Sequence, residues 1–81
     1  MGGVRGDVSL ERRGSVVRLL MGGDCVIELG REEFRWILEE AKRRGFIRPS
    51  IVRMRLPRLS AKEQLKVALW FSQYLGVPLT G

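Results

Sequence analysis

The sequence contains no histidine and a single cysteine, Cys25, among its 81 residues. Without histidine it lacks the side chain that most often serves as general acid or base near neutral pH, and also the commonest transition-metal ligand. One cysteine excludes an internal disulfide and a cysteine-based zinc site within one chain. Carboxylates, lysine and tyrosine are present, but no two of them stand at the spacing of a catalytic site. We therefore expect a non-catalytic protein that needs no metal or cofactor.

Long apolar runs are also missing. No run approaches the roughly 18 residues that a membrane-spanning helix needs, and residues 1–7 are glycine-rich without the apolar segment of a signal peptide. We therefore expect a cytoplasmic protein that has no membrane partner. With 44% hydrophobic residues, a chain of this length can enclose one apolar core. This predicts a single domain over residues 1–81, with residues 1–7 as a flexible N-terminus.

Acidic residues are scarce in one stretch. The whole chain carries a net charge of +6, and residues 42–66 hold nine basic residues against Glu63 alone. Residues 1–41 carry six arginines and eight acids, and residues 67–81 carry no charge. A block of one sign concentrates potential on part of a small surface and attracts phosphate or an acidic partner. An arginine-rich composition is equally typical of a hot environment or a GC-rich genome, so both interpretations stay open.

Apolar periodicity and turn residues predict the secondary structure. A β-branched run at 15–21 and its partner at 24–29, joined by Gly22-Gly23, indicate a hairpin, and residues 8–11 can add a strand before it. Cys25 falls in the second strand as a small core residue. Residues 31–44 show helical spacing that ends at Gly45, and Ser60 with Glu63 forms a capping box that opens a helix to about residue 75.

Residues 51–56 alternate between two faces, one of which is wholly apolar while the other carries Ile51 and two arginines, which predicts another strand. The expected fold is thus α+β, with a small, mostly antiparallel sheet of three to four strands in ββαβα order, backed by two helices. Val52, Met54 and Leu56 would face the core. Arg53 and Arg55 would point outward together, about 7 Å apart, close to the spacing of phosphates in an extended single strand.

The predicted phosphate contacts are therefore the two arginines on this strand, those that flank it and one on a neighbouring strand. They are Arg53, Arg55, Arg48, Arg58 and Arg18, with apolar contacts to bases from Trp70 or Tyr74. The alternative is a solvated strand face whose charges prevent edge-to-edge aggregation.

Two aromatic patterns suggest contacts with another protein. Trp36 falls on the polar face of the helix at 31–44, where it can fill a partner's pocket, stack on a base, or be covered by a loop or the N-terminal segment of its own chain. The helix after Ser60 has a core stripe at Leu65, Ala68, Leu69, Ser72 and Leu75, and further apolar residues on another side. That breadth predicts a homodimer interface, which comprises Trp36, Val67, Trp70, Phe71 and Tyr74.

The element order and charge placement in IELGREEFRWILEEAKRRG, IVRMRL and SAKEQLKVALWF resemble those of the small archaeal ThermoDBP-related single-stranded-DNA-binding proteins. The resemblance covers residues 15–75. It implies a thermophilic, archaeal type of protein in which a sheet backed by helices forms a basic cleft with an apolar floor. Together with the charge block, it predicts a sequence-independent single-stranded nucleic-acid-binding protein, with DNA as ligand rather than RNA. The alternative function is a protein-interaction adaptor, or a subunit of a larger assembly, that docks through its basic face.

Overall fold

Within the described residues, the fold consists of a three-stranded sheet followed by three helices. The computed structural model describes residues 7–81. The predicted flexible segment, residues 1–7, lies outside this range except for Asp7. The α+β class and the antiparallel sheet are confirmed. The elements in chain order are β1 Val8–Arg13, β2 Val16–Met21, β3 Asp24–Gly30, α1 Arg31–Arg44, α2 Pro49–Arg55 and α3 Ala61–Leu75.

The sheet has the strand order β1-β2-β3, with both neighbouring pairs antiparallel. Gly22 and Gly23 both have positive φ angles, 61° and 87°, which a two-residue hairpin of right-handed twist requires and which glycine adopts without strain. Successive side chains alternate between the two faces of β2. Val17 and Leu19 are therefore buried under the helices, whereas Arg18 lies on the outer face.

Cys25 is exposed, so its predicted core position is wrong. The β2–β3 register shifts between Leu19 and Leu20, where Leu19 pairs with Ile27 and Leu20 pairs with Cys25. The extra residue in β3 is Val26. Such a bulge changes which residues of a strand face the core, and alternation alone does not show where it occurs.

The predicted strand at Ile51–Leu56 is wrong, because these residues belong to helix α2 and the turn that follows it. Pro49 occupies the first turn of α2, where its fixed φ favours a helix and its missing N–H costs nothing. Val52 and Leu56 are four residues apart on one side of the helix and are fully buried, together with Ile51. Met54, which a strand would bury beside Val52, is 62% exposed. The observed order is βββααα, with three helices.

Helix α3 begins and ends as predicted. The Ser60 hydroxyl accepts a hydrogen bond from the Glu63 amide, and the Glu63 carboxylate accepts one from the Ser60 amide. Gly76 ends the helix with a φ of 73°. The C-terminal segment then runs back to the α1–α2 loop, where Ile47 and Leu79 form an isolated parallel bridge.

The core face of α3 differs from the predicted stripe. Gln64, Val67, Ala68, Trp70 and Phe71 are buried, whereas Leu65 is 49% and Leu69 37% exposed. Rotating the helix in this direction buries two large aromatic side chains instead of two leucines, which removes more apolar area from water. The polar residue on this face is satisfied, because the Gln64 amide donates to the Leu59 carbonyl at 2.9 Å.

Trp70 joins α3 to the sheet. Its indole Nε1 donates to the Leu20 carbonyl at 2.8 Å and to the Ser9 carbonyl at 3.2 Å. Its ring packs edge-on against Phe34 of α1 and against Phe71. One fully buried side chain of α3 therefore contacts two strands and helix α1.

A helix and a strand at residues 51–56 predict different effects of replacing Val52 or Met54 by alanine. In the helix, Val52→Ala removes buried methyl groups and should lower the free energy of unfolding by about 2 kcal/mol. Met54→Ala should change it by less than about 0.5 kcal/mol, because this side chain lies largely in water. Urea denaturation followed by circular dichroism measures both. Equal losses for the two variants would support the strand instead.

Trp70→Phe should be strongly destabilising, because it removes the indole donor and part of the packed volume. We expect a loss of about 2–3 kcal/mol in the free energy of unfolding. Tyr74→Phe is the matched control, since it changes a neighbouring aromatic side chain that is 40% exposed and should cost less than about 0.5 kcal/mol. A Trp70→Phe protein that unfolds at the wild-type urea concentration would contradict this role.

Candidate functional site

Helix α2 presents an exposed basic surface in the second half of the chain. Ile51, Val52 and Leu56 hold α2 in the core. The side chains left on the outside of α2, and the arginine that precedes it, are all exposed. We call them the α2 surface: Arg48, Arg53, Met54 and Arg55.

The predicted ladder of Arg53 and Arg55 along one strand face does not exist. Residues two apart in an α-helix point about 200° from each other, since each residue turns the helix by 100°. The two arginines therefore lie on either side of Met54 rather than in line. The spacing argument for successive phosphates is lost, although the positive charge remains on the surface.

Two arginines of the α2 surface lie over aromatic rings. The Arg48 guanidinium carbon is 4.9 Å from the centre of the Phe46 ring, and that of Arg55 is 5.7 Å from the Trp36 ring. A ring face attracts a guanidinium and restricts its position, but leaves the N–H groups at its edge available to acceptors. The two cations are thus oriented by neutral partners and remain able to bind an anion.

Trp36 is half-buried at the edge of the core. The Arg55 guanidinium of helix α2 lies over its ring, rather than the predicted loop, and contact with a partner protein or a base stays a prediction. Its indole remains partly accessible beside the α2 surface.

Arg58 differs from the other predicted arginines because it has an acidic partner. Its Nη1 lies 3.2 Å from Glu33 Oε2, and its Nη2 lies 3.5 Å from Glu33 Oε1. The Arg58 guanidinium, the Gly30 amide and the positive charge of Arg55 together lower the pKa of Glu33 below its ordinary value, against the opposing effect of partial burial. Arg58 therefore joins α1 to the turn after α2, and its charge is largely compensated.

Arg18 is also compensated, in the middle of the outer sheet face. It contacts Glu11 on β1 at 3.1 Å and Glu28 on β3 at 3.2 Å. Both glutamates are its direct cross-strand partners, which is the arrangement that stabilises antiparallel pairs. The structure does not bring Arg18 to the α2 surface.

At the end of α1, one carboxylate compensates two arginines. Glu40 lies 2.6 Å from Arg43 and 3.0 Å from Arg44, and these two hydrogen bonds lower the pKa of Glu40. Over residues 7–81, the ion pairs involve Arg18, Arg43, Arg44 and Arg58, and none involves Arg48, Arg53 or Arg55. The arginines of the α2 surface thus form no ion pair there, although the Glu33 carboxylate is near enough for the charge of Arg55 to lower its pKa.

The predicted aromatic contacts are mostly internal. Val67, Trp70 and Phe71 are fully buried in one subunit, so they form neither a dimer interface nor a base-stacking surface. The sheet covers one side of α3 and helices α1 and α2 cover another. Leu65, Leu69 and Tyr74 remain at the surface of α3, so the homodimer itself stays a prediction. Tyr74 is partly exposed, but it stacks on Trp70, on the side of α3 that meets the sheet.

Neither a metal site nor a membrane-spanning helix is found over the range that the structure describes. No group of three or more cysteine, aspartate or glutamate side chains there is placed to hold a metal ion. None of its helices combines the length and the apolar character needed to cross a membrane.

The Glu33–Arg58 pair predicts a specific pH dependence. Because folding lowers the Glu33 pKa, its contribution to stability is present above the ordinary value of 4.5 and is lost as the pH falls through the lower folded value. Glu33→Gln keeps an oxygen for the Gly30 amide but loses the charge. We expect it to cost about 1 kcal/mol or less at neutral pH and nothing in strong acid.

Thermal unfolding between pH 7 and pH 2 measures this difference. Glu39→Gln is the control, since Glu39 is an exposed carboxylate on the same helix that forms no ion pair within residues 7–81. Identical stability profiles for the two variants would show that the Arg58 contact contributes nothing.

Comparison with protein-family models, curated proteins and solved structures finds no match to this chain. The element order behind the resemblance to the ThermoDBP-related proteins included a strand at residues 51–56, which is a helix here, so the resemblance now rests on charge placement alone. Any function has to be argued from the chain's own side chains.

Proposed function

We propose that this protein is a non-catalytic, largely sequence-independent single-stranded nucleic-acid-binding protein that contacts phosphates through the α2 surface. One observation carries the proposal: Arg48, Arg53 and Arg55 are exposed and have no acidic partner among the described residues, although the same chain pairs four other arginines with glutamates.

The chemistry of the α2 surface suits phosphate. A guanidinium binds phosphate through two parallel N–H groups, and it does so best where no carboxylate competes. Arg48 and Arg55 are already oriented over Phe46 and Trp36, so less side-chain freedom is lost on binding than for an unsupported arginine. Phosphate contacts carry no sequence information, which is why little base preference is expected.

A single strand fits the shape of this surface better than a rigid duplex does. Seven helical residues are about 10 Å long, and the arginines diverge around them instead of forming a straight row. A flexible strand can bend around such a ridge and place its phosphates on either side of Met54. The partly exposed Trp36 lies where an unpaired base can contact it. DNA rather than RNA is the ligand that the resemblance implies.

The test is a fluorescence-anisotropy titration of a labelled 20-nucleotide oligo-dT, and of the matching oligo-U, at two salt concentrations. Arg53→Ala and Arg53→Ala/Arg55→Ala should weaken binding progressively for both sequences. Each lost phosphate contact should also reduce the slope of log K against log salt by about 0.7, the value for single strands.

The matched control is Arg43→Ala, which removes the same charge from an exposed arginine paired with Glu40. It should change affinity and salt slope much less. Circular dichroism shows whether each variant remains folded. If the double variant binds oligo-dT with unchanged affinity and salt slope, the α2 surface is not the binding site.

A further inference from the structure

A second basic surface lies on a different side of α1. It is a groove of about 800 Å³ between the end of the β1–β2 hairpin and the first half of α1. Its floor is apolar and is formed by Val17, Phe34 and Leu38. Its rim is formed by Arg12 from β1 and by Ser15, Gly30, Arg31, Glu32, Glu33 and Arg35.

Backbone contacts fix the walls of the groove. The Arg31 amide donates to the Ser15 carbonyl at 2.9 Å, which ties the start of α1 to the hairpin turn. The Gly30 amide donates to Glu33 Oε1 at 3.0 Å, which closes the first turn of the helix. Val17 and Phe34 belong to the core. The groove is therefore formed without a ligand, which reduces the cost of binding.

The rim carries excess positive charge. Arg12, Arg31 and Arg35 are exposed, and none of them forms an ion pair within the part of the chain that the structure describes. Of the two acids, Glu33 is already compensated by Arg58. Three arginines on two different elements thus face a single uncompensated carboxylate, that of Glu32.

We propose that this groove binds an acidic peptide segment of a partner protein, with an apolar side chain on the floor and carboxylates at the arginines. Charge complementarity favours an anion, and planar guanidinium groups pair with carboxylates through two hydrogen bonds. Positions 31, 35 and 38 follow one another on the same side of α1, so they can contact alternate residues of one extended peptide, whose side chains point to the same side.

The floor favours a peptide over a nucleic acid. Leu38 and Val17 are aliphatic, and Phe34 is only 6% exposed, with its ring packed against Trp70 and Phe71. No ring face in the groove is therefore free to stack on a base, which is the usual apolar contact with single strands. An aliphatic side chain of a peptide can instead bury its surface against Leu38.

This site is separate from the α2 surface. Trp36 and Glu33 contact Arg55 and Arg58, whereas Arg31 and Arg35 turn towards the hairpin. The protein would then bind a nucleic acid and an acidic partner on different sides of one helix. The two functions can be tested with separate variants.

The probe is a fluorescein-labelled nine-residue peptide with two central leucines flanked by glutamates, titrated against the full chain in anisotropy. Arg31→Glu/Arg35→Glu should weaken its binding by about tenfold or more, since two attractive contacts become repulsive. Replacing both leucines of the peptide by serine should weaken binding by about tenfold as well, because the peptide then buries no apolar side chain against the floor of the groove. Arg12→Glu, on β1, is a second variant that does not alter α1.

Arg53→Glu/Arg55→Glu is the matched control, with the same change of charge on the α2 surface. It should leave peptide binding nearly unchanged while abolishing oligo-dT binding. Equal weakening of peptide binding by both double variants would overturn the proposal, since attraction would then reflect net charge. Loss of oligo-dT binding in the groove variant without loss of peptide binding would also overturn it. Neither result depends on whether the α2 surface binds DNA.

Discussion

The fold depends on the burial of Trp70. Its indole donates to the Leu20 and Ser9 carbonyls, and its ring contacts Phe34, Phe71 and Tyr74. A buried indole N–H without an acceptor would cost more than the hydrogen bond contributes, so α3 can lie on the sheet only where those two carbonyls meet it. That position determines the rotation of α3. It places Val67 and Phe71 inside and leaves Leu65 and Leu69 at the surface.

The same packing decides where charge is compensated. The sheet fixes Arg18 between Glu11 and Glu28, and the approach of the turn after α2 to α1 places Arg58 against Glu33. The acids that form these pairs lie on the strands and on α1. Residues 45–59, which contain α2, hold no acid at all. The unpaired arginines of the α2 surface follow from this lack of acids. Those at the groove lie on β1 and α1, where neighbouring glutamates pair with other arginines.

For residues 51–56 the exposed arginines were predicted correctly, but the secondary structure was predicted as a strand instead of a helix. A period of two and a helical pattern both place Val52 and Leu56 inward, and they disagree about Met54 and Ile51. Pro49 at the first helical turn was a local signal in favour of the helix. Only two of the six residues, Ile51 and Met54, distinguish a helix from a strand, which is too few for hydrophobic periodicity to decide between them. Arg53 and Arg55 are exposed in a strand and in a helix alike, but the spacing of about 7 Å along one face exists only in a strand.

The sequence by itself determined the elements whose signals are local: the glycine turn of the hairpin, α1 with its glycine stop, and α3 with its capping box. It also determined the block of positive charge, because net charge needs no coordinates. Only the tertiary structure decided which side of α3 is buried, where β3 bulges, and which arginines meet a glutamate. Those outcomes depend on contacts between residues far apart in the chain, such as Trp70 with Ser9 and Arg58 with Glu33, which no local pattern specifies.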